Sequence, residues 1–235
     1  MQIVAISDTH GQHHNLPTLP KGDLLLHSGD FSSRGRLKEF QEFAEWFGSQ
    51  PHEHKIACPG NHDFICEREP DLCREIAKEN NFFLGIDEAF FIDGIQIFCS
   101  PWTNYFHGWA FNAYEIELVS KFSRIPVDID ILVTHGPPKT NTFIDRNEEG
   151  EHCGSQALLA LLPKLTRLKY CVFGHTHEGY GVLEGLKRNP WDVHHEGTFI
   201  NASLVGGKDC GWSRLDPRRE PFVFNVPSWK DKRLS

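Results

Sequence analysis

Five short apolar runs each stop at polar residues of one chemical kind, and that recurrence limits the fold more than any other feature of this 235-residue chain. Ile3–Ile6 (IVAI) runs into SDTHG, Leu24–Leu26 (LLL) into HSGDF, and Ile56–Cys58 (IAC) into PGNHD. Ile129–Val133 (IDILV) runs into THGPP, and Tyr170–Phe173 (YCVF) into GHTHEG. Short β-branched runs bounded by Gly or Pro read as buried strands. Between them the apolar period changes to three and four residues. Leu37, Phe40, Phe43, Ala44 and Phe47 form one helical face. Pro70 opens a second helix, with Leu72, Cys73, Ile76 and Ala77 inward. Ser155 caps a third, followed by Ala157, Leu158, Leu161 and Leu162. Strand alternating with helix predicts an α/β fold with parallel pairing. AFFIDGIQIFC adds a hairpin turning at Asp93-Gly94. VLEGLKRNPWDVHHEGTFIN adds another, with a long polar loop at 186–197, so the sheets are expected to be mixed. No repeat or low-complexity linker divides the chain. A single domain over 1–235 is expected, with 227–235 a solvated tail.

Composition narrows the class. A net charge of −8 argues against a protein built to grip DNA or RNA, because phosphate-backbone binding rests on Lys and Arg. The seven cysteines, Cys58, Cys66, Cys73, Cys99, Cys153, Cys171 and Cys210, form no C-x-x-C pair, and several lie in apolar segments. Free thiols in a reducing compartment are expected, hence a cytoplasmic protein. The first strand leaves no room for a signal peptide, and no run is long enough to span a membrane.

The strand ends carry the chemistry. In open α/β sheets, ligands bind beyond the carboxyl ends of the strands. Here five such ends deliver Asp8 and His10, then Asp30, then Asn61 with His62 and Asp63, then His135, then His175 and His177. An H-x-H pair alone means little among fourteen histidines, but five ends in register do not arise by chance. Residues i and i+2 on extended backbone point the same way, so each D-x-H or H-x-H pair is expected to face one site. The donors are nitrogen and oxygen, without thiolate. The set is too large for one ion, and two divalent ions sharing a carboxylate use it well, with Asp30 the natural bridge. Nitrogen and oxygen donors accept Mn, Fe, Ni, Co or Zn. Gly29, Gly60, Gly136 and Gly174 are expected where backbone passes close to the site. Four ionic charges exceed the two of Asp8 and Asp30, which leaves a locally positive site suited to a phosphoester anion.

These blocks, SDTH, SGD, GNHD, THG and GHTH, resemble the pattern of the calcineurin-like metallophosphoesterases, D-x-H, G-D, G-N-H-[DE], H-G and G-H-x-H, in the same order. LLHSGDF, SPWTNYFHGWAFN, ILVTHGPP, VFGHTHEGYG and FINAS are similar to the metallophosphoesterase-domain subgroup, which includes brain-type class III cyclic nucleotide phosphodiesterases and bacterial relatives. The resemblance implies a four-layer α/β sandwich, two mixed β-sheets flanked by helices. It implies that Asp8, His10, Asp30 and His177 hold one metal and that Asp30, Asn61, His135 and His175 hold the other. Some animal members carry Gly at the first His of the last box. This chain keeps His175, which implies an intact second site.

The expected activity is dimetal hydrolysis of small phosphodiesters, cyclic nucleotides among them, by in-line attack of a hydroxide shared between the ions. His62 would assist the leaving group, and Asp63 would orient His62 or pack the turn. Arg34, in GDFSSRG, sits in a block like the GDxxDRG of protein phosphatases, with Ser33 replacing the second Asp. Asn104 and His107, in an aromatic segment, are candidates for the substrate wall. His13, His14, His194 and His195 read as surface residues. The alternatives are a phosphomonoesterase or protein phosphatase, and a non-catalytic metal-binding scaffold.

Overall fold

Each of the five apolar runs is a strand of four or five residues, enough to cross one layer and no more. The structure is a computed structural model that describes residues 1–187, 193–207 and 214–227. The first elements are β1 (Gln2–Ile6), β2 (Leu24–His27), α1 (Leu37–Gly48), β3 (His54–Ala57), α2 (Phe64–Arg68), α3 (Pro70–Glu79) and β4 (Phe83–Leu84). Next come β5 (Glu88–Ile92), β6 (Ile95–Ser100), β7 (Thr103–Asn104), β8 (Asn112–Ala113), α4 (Glu115–Phe122) and β9 (Ile131–Thr134). The last are α5 (Gln156–Leu161), β10 (Tyr170–Phe173), β11 (Gly181–Leu186), β12 (His195–Asn201) and β13 (Phe222–Asn225).

Two large mixed sheets result, in the orders β13-β1-β2-β3-β4 and β11-β12-β10-β9-β6-β5. β1 to β4 are parallel, and β13 closes that sheet antiparallel to β1. β6, β9, β10 and β12 are parallel, flanked by antiparallel β5 and β11. Alternation along each strand feeds two cores. Ile3, Ala5, Leu24, Leu26 and Ile56 of one sheet meet Ile97, Ile131, Val133, Val172 and Ile200 of the other. The opposite faces go to helices: Val4, Ile6 and Leu25 pack with Phe40, Phe43 and Phe47 of α1. Leu132, Cys171 and Phe173 pack with Leu118 of α4 and Leu158 of α5. Strands covered on both faces read as continuous apolar runs, as these do. The layers run helix, sheet, sheet, helix, the four-layer sandwich that the resemblance implied.

The hairpin turns as expected, with Ile92 opposite Ile95 and Asp93 and Gly94 both at positive φ. β11 and β12 form the second hairpin, though part of its loop lies outside the described residues. So do Cys210 and the tail beyond 227, while the other six cysteines are free thiols. Ser155 caps α5 by accepting from the Leu158 N–H at 3.2 Å. Two packing expectations fail. Leu72 is exposed, because α3 turns Cys73 and Ala77 inward and leaves its first turn at the edge. His13 is buried, its ring 5.0 Å from Trp46 and 5.7 Å from Phe43, since the turn after β1 folds it onto α1. Among the described residues, no helix is long and apolar enough to cross a membrane.

Candidate metal centre

The carboxyl ends of β1, β2 and β3 from one sheet and of β9 and β10 from the other meet at a single place. All seven candidate ligands gather there. His10 Nε2 lies 3.3 Å from His177 Nε2, and His177 Nε2 lies 3.4 Å from Asp8 Oδ1. His135 Nε2 lies 2.8 Å from Asn61 Oδ1, and His175 Nδ1 lies 2.7 Å from that same oxygen. Asp30 stands between the two groups, Oδ2 3.8 Å from His10 Nε2 and Oδ1 3.3 Å from His135 Nε2.

The pairs converge by a different route from the extended backbone that i, i+2 spacing predicts. Asp8, His10, Asp30 and His175 all have positive φ, between 42° and 64°. His177 opens a short 3₁₀ turn. The strands end first, and left-handed turns then swing the side chains inward. Asp and His tolerate this region better than most residues, and each such position still costs about 1 kcal/mol or more. Close backbone approach explains three of the four glycines. A Cβ on Gly174 would lie 1.9 Å from Asp8 Oδ2, on Gly60 2.3 Å from Asp30 Oδ1, and on Gly29 2.3 Å from His135 Nδ1. Gly136 is different: apart from its chain neighbours, the atoms nearest a Cβ there belong to Thr103 of β7 and not to a ligand.

Electrostatics here are those of a cation site. Asp8 is 0% and Asp30 2% exposed, and among the described residues the cationic-type side chains within salt-bridge reach of either carboxylate are all histidines. Buried charge needs a partner. Burial raises the Asp8 pKa, but the His177 hydrogen bond and charge outweigh it, and the group is held below its ordinary range. Asp30 is likewise held low, burial being overcome by the charge of His135. Burial opposes protonation of His135, yet the charge of Asp30 and their hydrogen bond raise it to about 9. Burial lowers His10 to about 4 and His175 to about 3, leaving neutral rings with lone pairs to give.

The residues fit metal ions. Two ligand atoms each about 2.1 Å from an ion at a right angle are about 3 Å apart, which is the spacing of these donors. Asp8, His10 and His177 make one grouping with ligand atoms within 4.8 Å of one another, and Asp8, Asp30 and His135 make a second. His62 falls in a third, with His10 and Asp30. Its Nδ1, however, donates to Ser33 O at 2.7 Å, and its ring lines a cleft beside the cluster.

Asp63 holds the turns together and makes no contact that orients His62. It accepts from the N–H groups of Asp30 (2.9 Å), Ser32 (2.9 Å) and Gly60 (2.7 Å) and from Ser32 Oγ (2.5 Å). Burial and the charge of Asp30 push its pKa up to about 7, against four donors that favour the carboxylate.

The cleft encloses about 850 Å³ and is walled by Asn104, Tyr105, Phe106, His107 and Trp109 on one side. Asn104 and His107 are therefore at the site. Arg34 is exposed and does not line the cleft; its N–H donates to the Glu39 carboxylate at 3.2 Å. Trp109 belongs to the aromatic segment expected at the substrate wall, but the sequence did not reveal that its ring stacks on His62, at 4.3 Å and 29°. Sequence reasoning also missed an acidic wall of Glu148, Glu149, Glu151 and Glu178. Glu178 directly follows the GHTH block, but no motif marks Glu148, Glu149 or Glu151, because loop carboxylates read as ordinary solvated surface.

Residues 1–179 match the Calcineurin-like phosphoesterase family, and the chain belongs to it. It is 32% identical to human metallophosphoesterase domain-containing protein 1, over 97% of this chain and 71% of that protein. It is 24% identical to a 3′,5′-cyclic-nucleotide phosphodiesterase of Nostoc sp., over 76% of this chain and 62% of that one. In fold it is similar to TT1561 of Thermus thermophilus, with a TM-score of 0.58, 11% identity and coverage of 88% and 89% of the two chains. Membership makes the chain a metal-dependent phosphoester hydrolase.

Proposed function

We propose that this chain hydrolyses small phosphodiesters, cyclic nucleotides among them, at a centre of two divalent ions. One observation carries the binuclear reading: the two oxygens of Asp30 address different groups of donors, His10 on one side and His135 on the other. Asp8, His10, Asp30 and His177 would hold one ion; Asp30, Asn61, His135 and His175 would hold the other. When bound, the ions supply an activated water and Lewis acidity toward phosphate oxygens. The protein's own groups do the rest. The Asp63-bound turns fix the donors. His62, anchored through Nδ1 to Ser33 O, is left with Nε2 to deliver a proton to the departing alkoxide. The wall of Phe106 and Tyr105 offers ring faces to a base.

The acidic wall supports diesters over monoesters. A phosphomonoester approaches a double negative charge at neutral pH, since its second pKa is about 6, whereas a diester carries one. Repulsion from Glu148, Glu149, Glu151 and Glu178 grows with that charge. A nucleic-acid strand would be repelled more strongly still. The relative from Nostoc sp. bears the name of a cyclic-nucleotide phosphodiesterase, which accords with this reading.

The test compares kcat/KM on bis- and mono-nitrophenyl phosphate, with added Mn, Fe, Ni, Co or Zn and after chelation with metal content verified. Diester preference, lost with the metal, is expected. A clear monoester preference would assign a phosphomonoesterase instead, and full turnover by verified ion-free protein would overturn the metal mechanism.

A further inference from the structure

His62 is restrained on three sides. Its Nδ1 is fixed on Ser33 O at 2.7 Å. His10 meets it edge-on at 4.6 Å and 86°. Trp109 lies over its face at 4.3 Å and 29°. One hydrogen bond at Nδ1 leaves the ring free to tilt about that contact, which would swing Nε2 away from any fixed phosphate. A flat indole against the face removes that freedom.

The indole is itself held. Trp109 packs with Phe64 at 5.8 Å and with Phe106 at 6.1 Å. Its loop is tied to the histidine's own turn, since Ala110 N–H donates to Asn61 O at 3.2 Å and Phe111 N–H to Glu67 Oε1 at 2.8 Å. The loop bends through positive φ at His107, Gly108 and Phe111 to bring the indole down. Trp109 and His62 are therefore held together by local contacts, although 46 residues separate them along the chain.

We infer that Trp109 is a positioning residue for His62, holding the ring so that Nε2 faces the leaving oxygen. This rests on the reading of His62 as proton donor. In the step concerned, the attacking water oxygen forms a bond to phosphorus as the bond from phosphorus to the leaving oxygen breaks; the leaving oxygen keeps the electron pair and takes a proton from Nε2 of the His62 imidazolium, which becomes the neutral ring with Nδ1–H still on Ser33 O. Misplacement of such a donor by an ångström costs up to about a hundredfold. A wall residue that only held substrate would act through KM.

The experiment uses aryl phosphodiesters of rising leaving-group basicity, 4-nitrophenyl and unsubstituted phenyl, the parent phenol having a pKa of about 10. Trp109→Leu, Trp109→Met, Trp109→Phe, His62→Ala and the double variant His62→Ala/Trp109→Leu are compared, with metal content measured in each. For Trp109→Leu the expected result is full metal, KM within about threefold, and kcat lowered about 10- to 100-fold on the phenyl ester but only a few-fold on the nitrophenyl ester. Trp109→Phe should restore most of the loss, and Trp109→Leu should cost little once His62 is gone. Should Trp109→Leu not fold, Trp109→Met is read in its place. A change confined to KM, equal losses on both esters in the Trp109 variants, or no rescue by Phe would overturn the inference. Equal losses on both esters in His62→Ala would instead overturn proton donation by His62, and the inference with it. A leaving-group-dependent loss in His62→Ala beside an indifferent Trp109→Leu would sink the inference alone.

Discussion

His135 carries the site's chemistry in one residue. Its Nδ1 lies 2.9 Å from Ser28 O and its Nε2 3.3 Å from Asp30 Oδ1, so the ring points Nε2 into the cluster. Without a cation, burial opposes a charge on this ring, but the charge of Asp30 holds its proton up to about pH 9. His177 is also raised, against burial, by its hydrogen bond to Asp8. A metal ion needs those lone pairs, so binding must expel the protons. Below pH 9 the proton competes with the ion, and affinity should rise with pH from 7 towards 9, about tenfold per unit for each proton displaced. Calorimetric titration of the ion-free protein with Zn or Mn, in buffers of different ionisation enthalpy, should register proton release at pH 7. Binding without release would mean that His135 and His177 stay protonated and do not ligate.

At the scale of elements, the site depends on turns more than on strands. Asp63 ties the turn after β2 to the turn after β3 through three accepted hydrogen bonds, and takes a fourth from Gly60 within its own turn. Asp63→Asn would present an NH₂ group to N–H donors that need an acceptor. Unsatisfied buried donors cost about 1–3 kcal/mol each. The variant should lose about 2–3 kcal/mol in chemical denaturation and bind ions more weakly; unchanged stability and metal content would show that the turns do not need the carboxylate. Strand positions were legible in the sequence because both faces of each strand are buried, which writes an unbroken apolar run. The ligand set was legible because it sits where those runs stop. The left-handed turns were not, since φ at Asp8, His10 and Asp30 depends on how the loop closes, and spacing alone implied extended backbone. β13 was missed because FVFN is short and pairs with a strand two hundred residues away in the chain. α4 was missed because Ile116 and Val119 are exposed on it, blurring the apolar period that Leu118 and Phe122 set. His13 read as surface because nothing local tells a buried imidazole from a wet one.

For the whole molecule, the centre is also a clasp between the sheets. Asp8, His10, Asp30 and Asn61 come from the ends of β1 to β3, and His135, His175 and His177 from the ends of β9 and β10 in the other sheet. Ions held by both sets of residues would join the two layers at one end, beyond the apolar core they share. An ion that binds only the folded state stabilises it by about 2.7 kcal/mol at a hundred times its Kd. In a chain of this size each kcal/mol moves Tm by about 2–4 °C, so saturation of one site should raise Tm by about 5–11 °C. His175→Ala should lose one site's share of that rise, because the donors His10, Asp8 and His177 are intact. Asp30→Ala should lose nearly all of it, because its two oxygens serve both groups. The shift on adding ion is the informative quantity, not the absolute Tm. Removing Asp30 also relieves a buried carboxylate, so the ion-free variant need not be less stable than the ion-free wild type. Thermal unfolding with elemental analysis across wild type, His175→Ala and Asp30→Ala separates the outcomes. An Asp30→Ala protein that still binds two ions and gains the full shift would show that Asp30 does not bridge.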